Sequence, residues 1–219
     1  MPTKLIGIFG AGGHGKETLS IIEDPEWLQA NNFSTMPHLA FIETIPSANR
    51  IHGIKILSEK EFLAKDCEEK YVAIALGNPH DRKKVFSRFK DSSTNFMNVV
   101  STKALVDSKS SMGMGAIISP FTFISTDVEI GDFFQANVNV SVSHDCKIGN
   151  YVTLSPGVTC NGNVEIRNNV FIGSGATIRN GSNGNRLVIG DNAVIGMGAV
   201  VVKNVAANTT VIGNPAHLK

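Results

Sequence analysis

Apolar residues recur in steps of six through the second half of the chain: Val100, Val106, Met112, Ile118, Ile124, Ile130, Ala136, Val142, Ile148, Leu154, Cys160, Ile166, Ile172 and Ile178. Four residues beyond each of these stands a second small or compact residue, including Ala104, Ala116, Val128, Val140, Cys146, Val152, Val164 and Ala176, with Phe134 breaking that track. Neither the 3.6-residue period of a helix nor the two-residue alternation of an ordinary strand holds such a register. A hexad is the pattern of a parallel β-helix, in which each short strand buries its apolar face only when the next coil stacks on it. Three hexads close one triangular coil, so Val100, Ile118, Ala136, Leu154 and Ile172 are expected to stack at ~4.8 Å. Gly131, Gly149, Gly173, Gly190 and Gly196 directly follow the apolar position, where a corner with positive φ is expected. Ile178 and Ile189 are eleven residues apart instead of six, which predicts a protruding five-residue loop around Gly181 to Asn185. The pattern then resumes at Ile189, Ile195 and Val201.

The first hundred residues follow a different rule. Lys4 to Phe9 reads as a buried strand, GAGGHGKE (Gly10 to Glu17) follows at once, and Thr18, Leu19, Ile21 and Ile22 have helical spacing. Strand, glycine-rich turn and helix would aim the backbone N–H groups around Gly12, Gly13 and His14 at an anion, and the helix dipole adds positive potential there. Further strands are expected at His38 to Ile42, ending in Glu43, and at Tyr71 to Leu76, ending in Gly77-Asn78-Pro79. Asp81 to Phe89 has helical spacing and carries Arg82, Lys83 and Lys84. This alternation predicts a small parallel sheet, a Rossmann-like domain over residues 1–97, followed by the rod over 98–219. Gly10, Gly12 and Gly15 have the spacing of a dinucleotide fingerprint, with Glu43 in the place of the ribose-binding acid. Fewer than 100 residues precede the rod, however, which suits a mononucleotide diphosphate and leaves a hydride-transfer enzyme without a catalytic domain.

Composition narrows the partners. A net charge of +1 with 18% charged residues excludes the basic face on which nucleic-acid and membrane-surface binding depends. Small molecules and further copies of the chain are the expected partners. Cys67, Cys146 and Cys160 are odd in number and two lie on inward tracks, which fits a reducing compartment. Leu5 to Phe9 is too short to span a bilayer and precedes no cleavage site, so a cytoplasmic protein is expected. His144 is the one histidine within the coils proper, too few for a rod-borne zinc hydratase, so no metal and no permanently bound cofactor are expected.

GAGGHGK followed by a hexapeptide rod, with Ser143-His144-Asp145-Cys146 in its middle and VIGNPA (Val211 to Ala216) at its end, resembles the sugar O-acyltransferases of the sialic acid O-acetyltransferase family. Within that family it looks most like the bacterial nucleotide-amino-sugar N-acetyltransferases, and the resemblance covers nearly the whole chain. It implies a left-handed parallel β-helix, a homotrimer, acetyl-CoA as co-substrate, and acetyl transfer to a nucleotide-linked amino sugar in bacterial surface glycan synthesis. His144 lies two residues beyond the inward Val142, so it stands at a corner and points outward, where a neighbouring rod would cover it. An imidazole there suits a general base near neutral pH. Asp145 would fix its tautomer or raise its basicity; alternatively it is a turn residue whose carboxylate bonds its own backbone.

The resemblance carries over Gly162 as the amide facing the thioester and Asn137 as a neighbour of the acceptor. It sets Gly12, Gly13 and His14 beside the diphosphate or sugar, and Asn78 with Arg82 near the nucleotide. The adenosine end of the coenzyme is expected on the later coils, which hold Gly173, Gly175, Ala199 and Lys203. Glu43-Thr44 departs from the two consecutive acids of many relatives, and residues from Asp24 to Pro37 are extra. The same base would serve a hydroxyl, so O-acetylation of sialic acid or another sugar is the alternative activity.

Overall fold

The computed structural model describes residues 4–219. Its first part runs β1 (Lys4–Phe9), α1 (Gly13–Ile22), α2 (Pro25–Ala30), β2 (His38–Glu43), β3 (Arg50–Ile51), β4 (Ile54–Ser58), α3 (Glu59–Leu63), β5 (Glu69–Ile74), α4 (Pro79–Phe89) and β6 (Thr94–Phe96). The sheet order is β3-β4-β2-β1-β5-β6, parallel throughout except for the β3–β4 hairpin. Parallel strands are covered on both faces, which is why Ile6, Ile8, Phe41, Ile42 and Val72 are all fully buried. β2 and β5 lie on opposite sides of β1, so a crevice opens at the carboxyl ends of these strands, where the glycine-rich turn sits. Gly10 has φ 103°, and a Cβ on Gly15 would overlap the Gly10 carbonyl oxygen. Only glycine at both places lets α1 leave β1 so closely.

β4 and α3 lie outside the expected elements, although α3 carries a legible start. Ser58 Oγ accepts from the Glu61 N–H at 3.3 Å and the Glu61 carboxylate accepts from the Ser58 N–H at 2.8 Å, a capping box. The extra residues after Asp24 are likewise ordered. Asp24 caps α2, and Trp27 is buried beneath it, stacked on Phe33.

From Val99 onward, strands of two or three residues stack into three sheets of eight, six and five strands. The first face runs in register through Val100, Ile118, Ala136, Leu154, Ile172, Ile195 and Val211. The second runs through Val106, Ile124, Val142, Cys160, Ile178 and Val201, and the third through Met112, Ile130, Ile148, Ile166 and Ile189. Both apolar tracks form one continuous core. Phe134 fits that core because Ala116, one coil earlier, and Ala136 beside it are small.

The corner glycines require a correction. Positive φ falls three residues after the apolar position, not one, at Asp127, Phe133, Asn139, Asp145, Tyr151, Gly157, Asn163 and Asn169 among others. Asn and Asp tolerate this left-handed conformation at low cost. Gly131, Gly149, Gly173, Gly190 and Gly196 are not among the positive-φ residues, and serve close approach instead. A Cβ on Gly149 would lie 2.8–2.9 Å from Asn168 Oδ1, Asn168 N and Arg167 C of the next coil.

The N-terminal domain covers the lower part of the first face, burying the outward residues Val99, Ile117, Gln135 and Thr153. Phe133 and Tyr151 occupy left-handed corners on this seam, their rings stacked at 5.1 Å, and Phe133 also meets Phe86 at 4.8 Å and Phe96 at 5.4 Å. Arg82 is a second correction: it does not reach a nucleotide site, because it is fully buried in this seam. Its Nε donates to Phe133 O, its Nη1 to Leu76 O, Gly77 O and Gln135 Oε1, and its Nη2 to Tyr151 O at 2.7 Å. Burial draws its pKa down to about 9, so the guanidinium stays charged at neutral pH. Ala199 is a third correction, since it points inward and is fully buried, with no side-chain atom available to a coenzyme.

Candidate active site

Each prism edge follows from residue number modulo one coil. His144 and Asp145 leave the second face at its edge with the third, and Gly162 occupies the same corner one coil later. Asp145 takes the left-handed corner conformation with φ 60°, held by its N–H on Thr126 O at 3.3 Å. His144 Nδ1 and Asp145 Oδ2 are 2.7 Å apart, both side chains half exposed. The carboxylate accepts only from a protonated Nδ1, so this bond leaves Nε2 with its lone pair outward. The imidazole lies against Gly162: a Cβ there would stand 2.7 Å from Cε1 and 2.8 Å from Nε2. The Gly162 N–H has no acceptor among the described residues. A base nitrogen and an unpaired backbone donor thus share one corner, the pair of functions that acyl transfer requires.

Lys203 stands on this same edge, three coils above His144, about 14 Å away at ~4.8 Å per coil. Asn137, Gly173 and Gly175 occupy the other edge, between the first and second faces. Asn137 Nδ2 donates to Leu154 O at 3.3 Å, the Gly173 N–H to Ile195 O, and the Gly175 N–H to Pro156 O. Within one chain the expected acetyl-CoA residues are therefore divided between two edges.

The crevice of the N-terminal domain contains the other group. Gly12 and Gly13 are exposed at the start of α1, where Gly12 is an N-cap without a side-chain bond. His14 points into the seam beside Gln135 and Arg82, and neither of its ring nitrogens has a hydrogen-bond partner. Burial lowers its pKa, opposed by the Glu17 carboxylate 3.6 Å from Nδ1. Asn78 is exposed and caps α4, its Oδ1 accepting from the N–H groups of His80 and Asp81. Gln135 and Thr153, absent from the expected set, tie this crevice to the rod: Gln135 Nε2 donates to Ile74 O at 2.8 Å and Thr153 Oγ1 to Gly77 O at 2.8 Å. Their sequence signal is polarity at outward positions of a face whose two preceding outward residues, Val99 and Ile117, are apolar. Among the described residues, no three His, Cys, Asp or Glu side chains gather as a metal site, and no helix is long and apolar enough to cross a membrane.

A prism of hexads with an imidazole–carboxylate pair on its edge defines a hexapeptide-repeat acyltransferase. Residues 5–89 match the family described as the PglD N-terminal domain. The chain is 41% identical over 212 residues to the GDP-perosamine N-acetyltransferase of Escherichia coli O157:H7, covering 97% of this chain and 95% of that one. WeeI from Acinetobacter baumannii AYE superposes with a TM-score of 0.93 at 38% identity, over 99% of this chain and 100% of that one. PerB from Caulobacter crescentus, solved in complex with CoA and GDP-perosamine, shares the fold at a TM-score of 0.82 and 24% identity, over 98% and 96% of the two chains. The chain belongs to the N-acetyltransferases of nucleotide-linked amino sugars, built as a Rossmann-like domain on a left-handed β-helix.

Proposed function

We propose that the protein transfers the acetyl group of acetyl-CoA to the amino group of a GDP-linked amino sugar, with His144 as general base, in a cleft between copies of a homotrimer. The observation that carries this reading is the bond from His144 Nδ1 to Asp145 beside Gly162, a buried residue whose N–H has no acceptor among the described residues. The neutral amine attacks the thioester carbonyl, forming the C–N bond, while Nε2 takes the amine proton. The Gly162 N–H faces the oxygen that gains charge. The C–S bond then breaks, and the thiolate of CoA leaves and takes that proton from the imidazolium, which restores the base. Asp145 holds the imidazole in the tautomer this sequence needs and stabilises it once protonated. The nucleotide is inferred from the relative of 41% identity, whose name specifies GDP-perosamine. Gly12 and Gly13 are assigned to its diphosphate or sugar, His14, with its ring nitrogens buried, to the base of that crevice, and Asn78 to its mouth.

The trimer is supported by the unequal faces of the prism. The lower part of the first is covered by the N-terminal domain. The third carries ion pairs, Lys147 to Glu129 at 2.9 Å and Arg167 to Glu165 at 3.0 Å. Outward positions of the second are Leu105, Phe123, Ser141, Thr159, Thr177 and Val200, none charged. Leu105 is 64% exposed, and Phe121, in a left-handed conformation of φ 61° at the adjoining edge, is 66% exposed. At the domain seam, aromatics in that conformation are covered; here a second copy would supply the cover. If the second faces surround a threefold axis, the His144 edge of one copy meets the Asn137–Gly173–Gly175 edge of the next, and the divided coenzyme residues become the two walls of one cleft.

The test is acetyl-CoA consumption with GDP-perosamine against UDP- and dTDP-linked amino sugars, together with sedimentation. Turnover is expected with the GDP sugar alone, from a trimer, and His144→Asn should lower the rate ~10²–10⁴-fold with CoA affinity kept. Full activity of the Asn variant would remove His144 from the mechanism.

A further inference from the structure

The five extra residues between Ile178 and Ile189 leave the rod at the His144 edge, two coils beyond it. The Gly181 N–H bonds Gly162 O at 3.0 Å and the Leu187 N–H bonds Asn163 O at 3.2 Å, so both roots of the loop rest on the coil that covers the imidazole. Ser182 and Asn185 pair through their backbones at 3.0 Å in both directions, closing the loop into a tight turn. Residues 182–185 are exposed, whereas Arg186 is half-buried because its side chain turns back along the edge. There Arg186 Nη1 donates to the main-chain carbonyl of Asp145.

We propose that Arg186 is a positioning residue for acetyl transfer, which fixes the Asp145–Cys146 peptide and through it the carboxylate that orients His144. The flanking carbonyls are held, His144 O by the Asn163 N–H at 3.1 Å and that of the buried Cys146 by the Glu129 N–H at 3.0 Å, but Asp145 itself is less restrained: its side chain is half exposed, it occupies a left-handed corner, and its N–H bond to Thr126 is long at 3.3 Å. A carboxylate on a half-exposed corner holds one imidazole tautomer only while the peptide that carries it is held. The guanidinium does this from outside the repeat. Its fork can bond a carbonyl without competing for the carboxylate, and the turn on Gly162 and Asn163 sets its root. A repeat without the insertion has no residue in this place.

This inference rests on the reading of His144 and Asp145 as the base and its partner, so the experiment includes both. Arg186→Ala, Arg186→Lys, Asp145→Asn and, as a loop control, Asn183→Ala are compared by steady-state kinetics and by ¹⁵N shifts of the His144 ring in histidine-labelled protein. Arg186→Ala is expected to lower kcat ~10–100-fold with both KM values within about twofold, as for a small misplacement of a catalytic group. It should also move the neutral imidazole from the Nδ1–H toward the Nε2–H tautomer while Tm stays at the wild-type value, which separates loss of this bond from loss of structure. Lysine should restore part of kcat, and Asn183→Ala should match wild type. Wild-type kcat and tautomer in Arg186→Ala, with Asp145→Asn impaired, would overturn the inference and leave the dyad standing. Unchanged kcat and tautomer in Asp145→Asn would overturn both. If Arg186→Ala fails to fold, the lysine variant decides: kcat and tautomer both like wild type in Arg186→Lys overturn the need for the guanidinium fork.

Discussion

Replacing Arg82 by Met tests the claim that this buried cation joins the domains instead of binding substrate. Its donors reach Phe133 O at 3.1 Å, Leu76 O at 2.7 Å and Tyr151 O at 2.7 Å, and none of these three carbonyls has another partner among the described residues. Gly77 O is less exposed to the loss because Thr153 Oγ1 also donates to it. Each orphaned buried carbonyl costs ~1–3 kcal/mol. Methionine fills the stem and avoids burying a charge, which offsets part of that sum, so a net loss of ~3–5 kcal/mol is expected, the range for breaking a buried charged network. For a chain of this size, ~2–4 °C per kcal/mol converts this to about 6–20 °C in Tm. Calorimetry of wild type, Arg82→Met and Arg82→Lys measures it, with lysine falling between because one ammonium cannot reach carbonyls on opposite sides of a planar fork. If Arg82→Met melts within ~2 °C of wild type and loses only nucleotide affinity, the seam assignment is wrong.

Gly162→Ala puts a methyl 2.7–2.8 Å from the His144 ring, which must swing aside; kcat should fall ~10²-fold or more with little change in Tm, and near-normal turnover would deny the contact. His14 has a pKa lowered by burial, so the unfolded chain takes up its proton first as pH falls. Stability that is complete above ~6.5 should drain away as the pH drops through the lower folded value, and parallel Tm–pH curves for wild type and His14→Gln would contradict this. Gly149→Ala should destabilise by ~1–3 kcal/mol through overlap with the next coil, while Gly157→Asn, at φ 70° with nothing nearer than 3.9 Å, should cost less than about 0.5 kcal/mol; urea titration separates the two glycine roles.

The rod was legible because each hexad repeats one local problem, and the count from Val100 assigns every inward side chain. The left-handed corners were legible too, through the Asn and Asp at positions such as 127, 139, 145, 163 and 169, but corner glycines one residue past the apolar track concealed them. Arg82 shows a different obstacle. In sequence it stands beside Lys83 and Lys84 as one of three cations on a helix, and only its spacing with Pro79, Val85 and Phe89 reveals that it shares their buried face. Polar atoms of Gln135 and Thr153 complete its surroundings from more than fifty residues away, a distance no local pattern spans. The Arg186 contact depends on how a loop turns back, which its Gly and Asn content leaves open.

A closed prism constrains where chemistry can occur. Its interior is filled by two apolar tracks at near-zero exposure, so no ligand enters it, and its faces are built of strands of two or three residues. Corners are where His144 and Asp145 project, at the junction of two faces. One corner lacks a second wall, and a rigid rod cannot bend to bring its own edges together. The His144 edge and the Asn137 edge are separated by a whole face of the same chain, yet each borders the second face, which is uncharged and uncovered along its length. In the proposed trimer, association through that face turns two convex edges into a groove, so the contact that stabilises the oligomer and the geometry that permits catalysis become the same requirement.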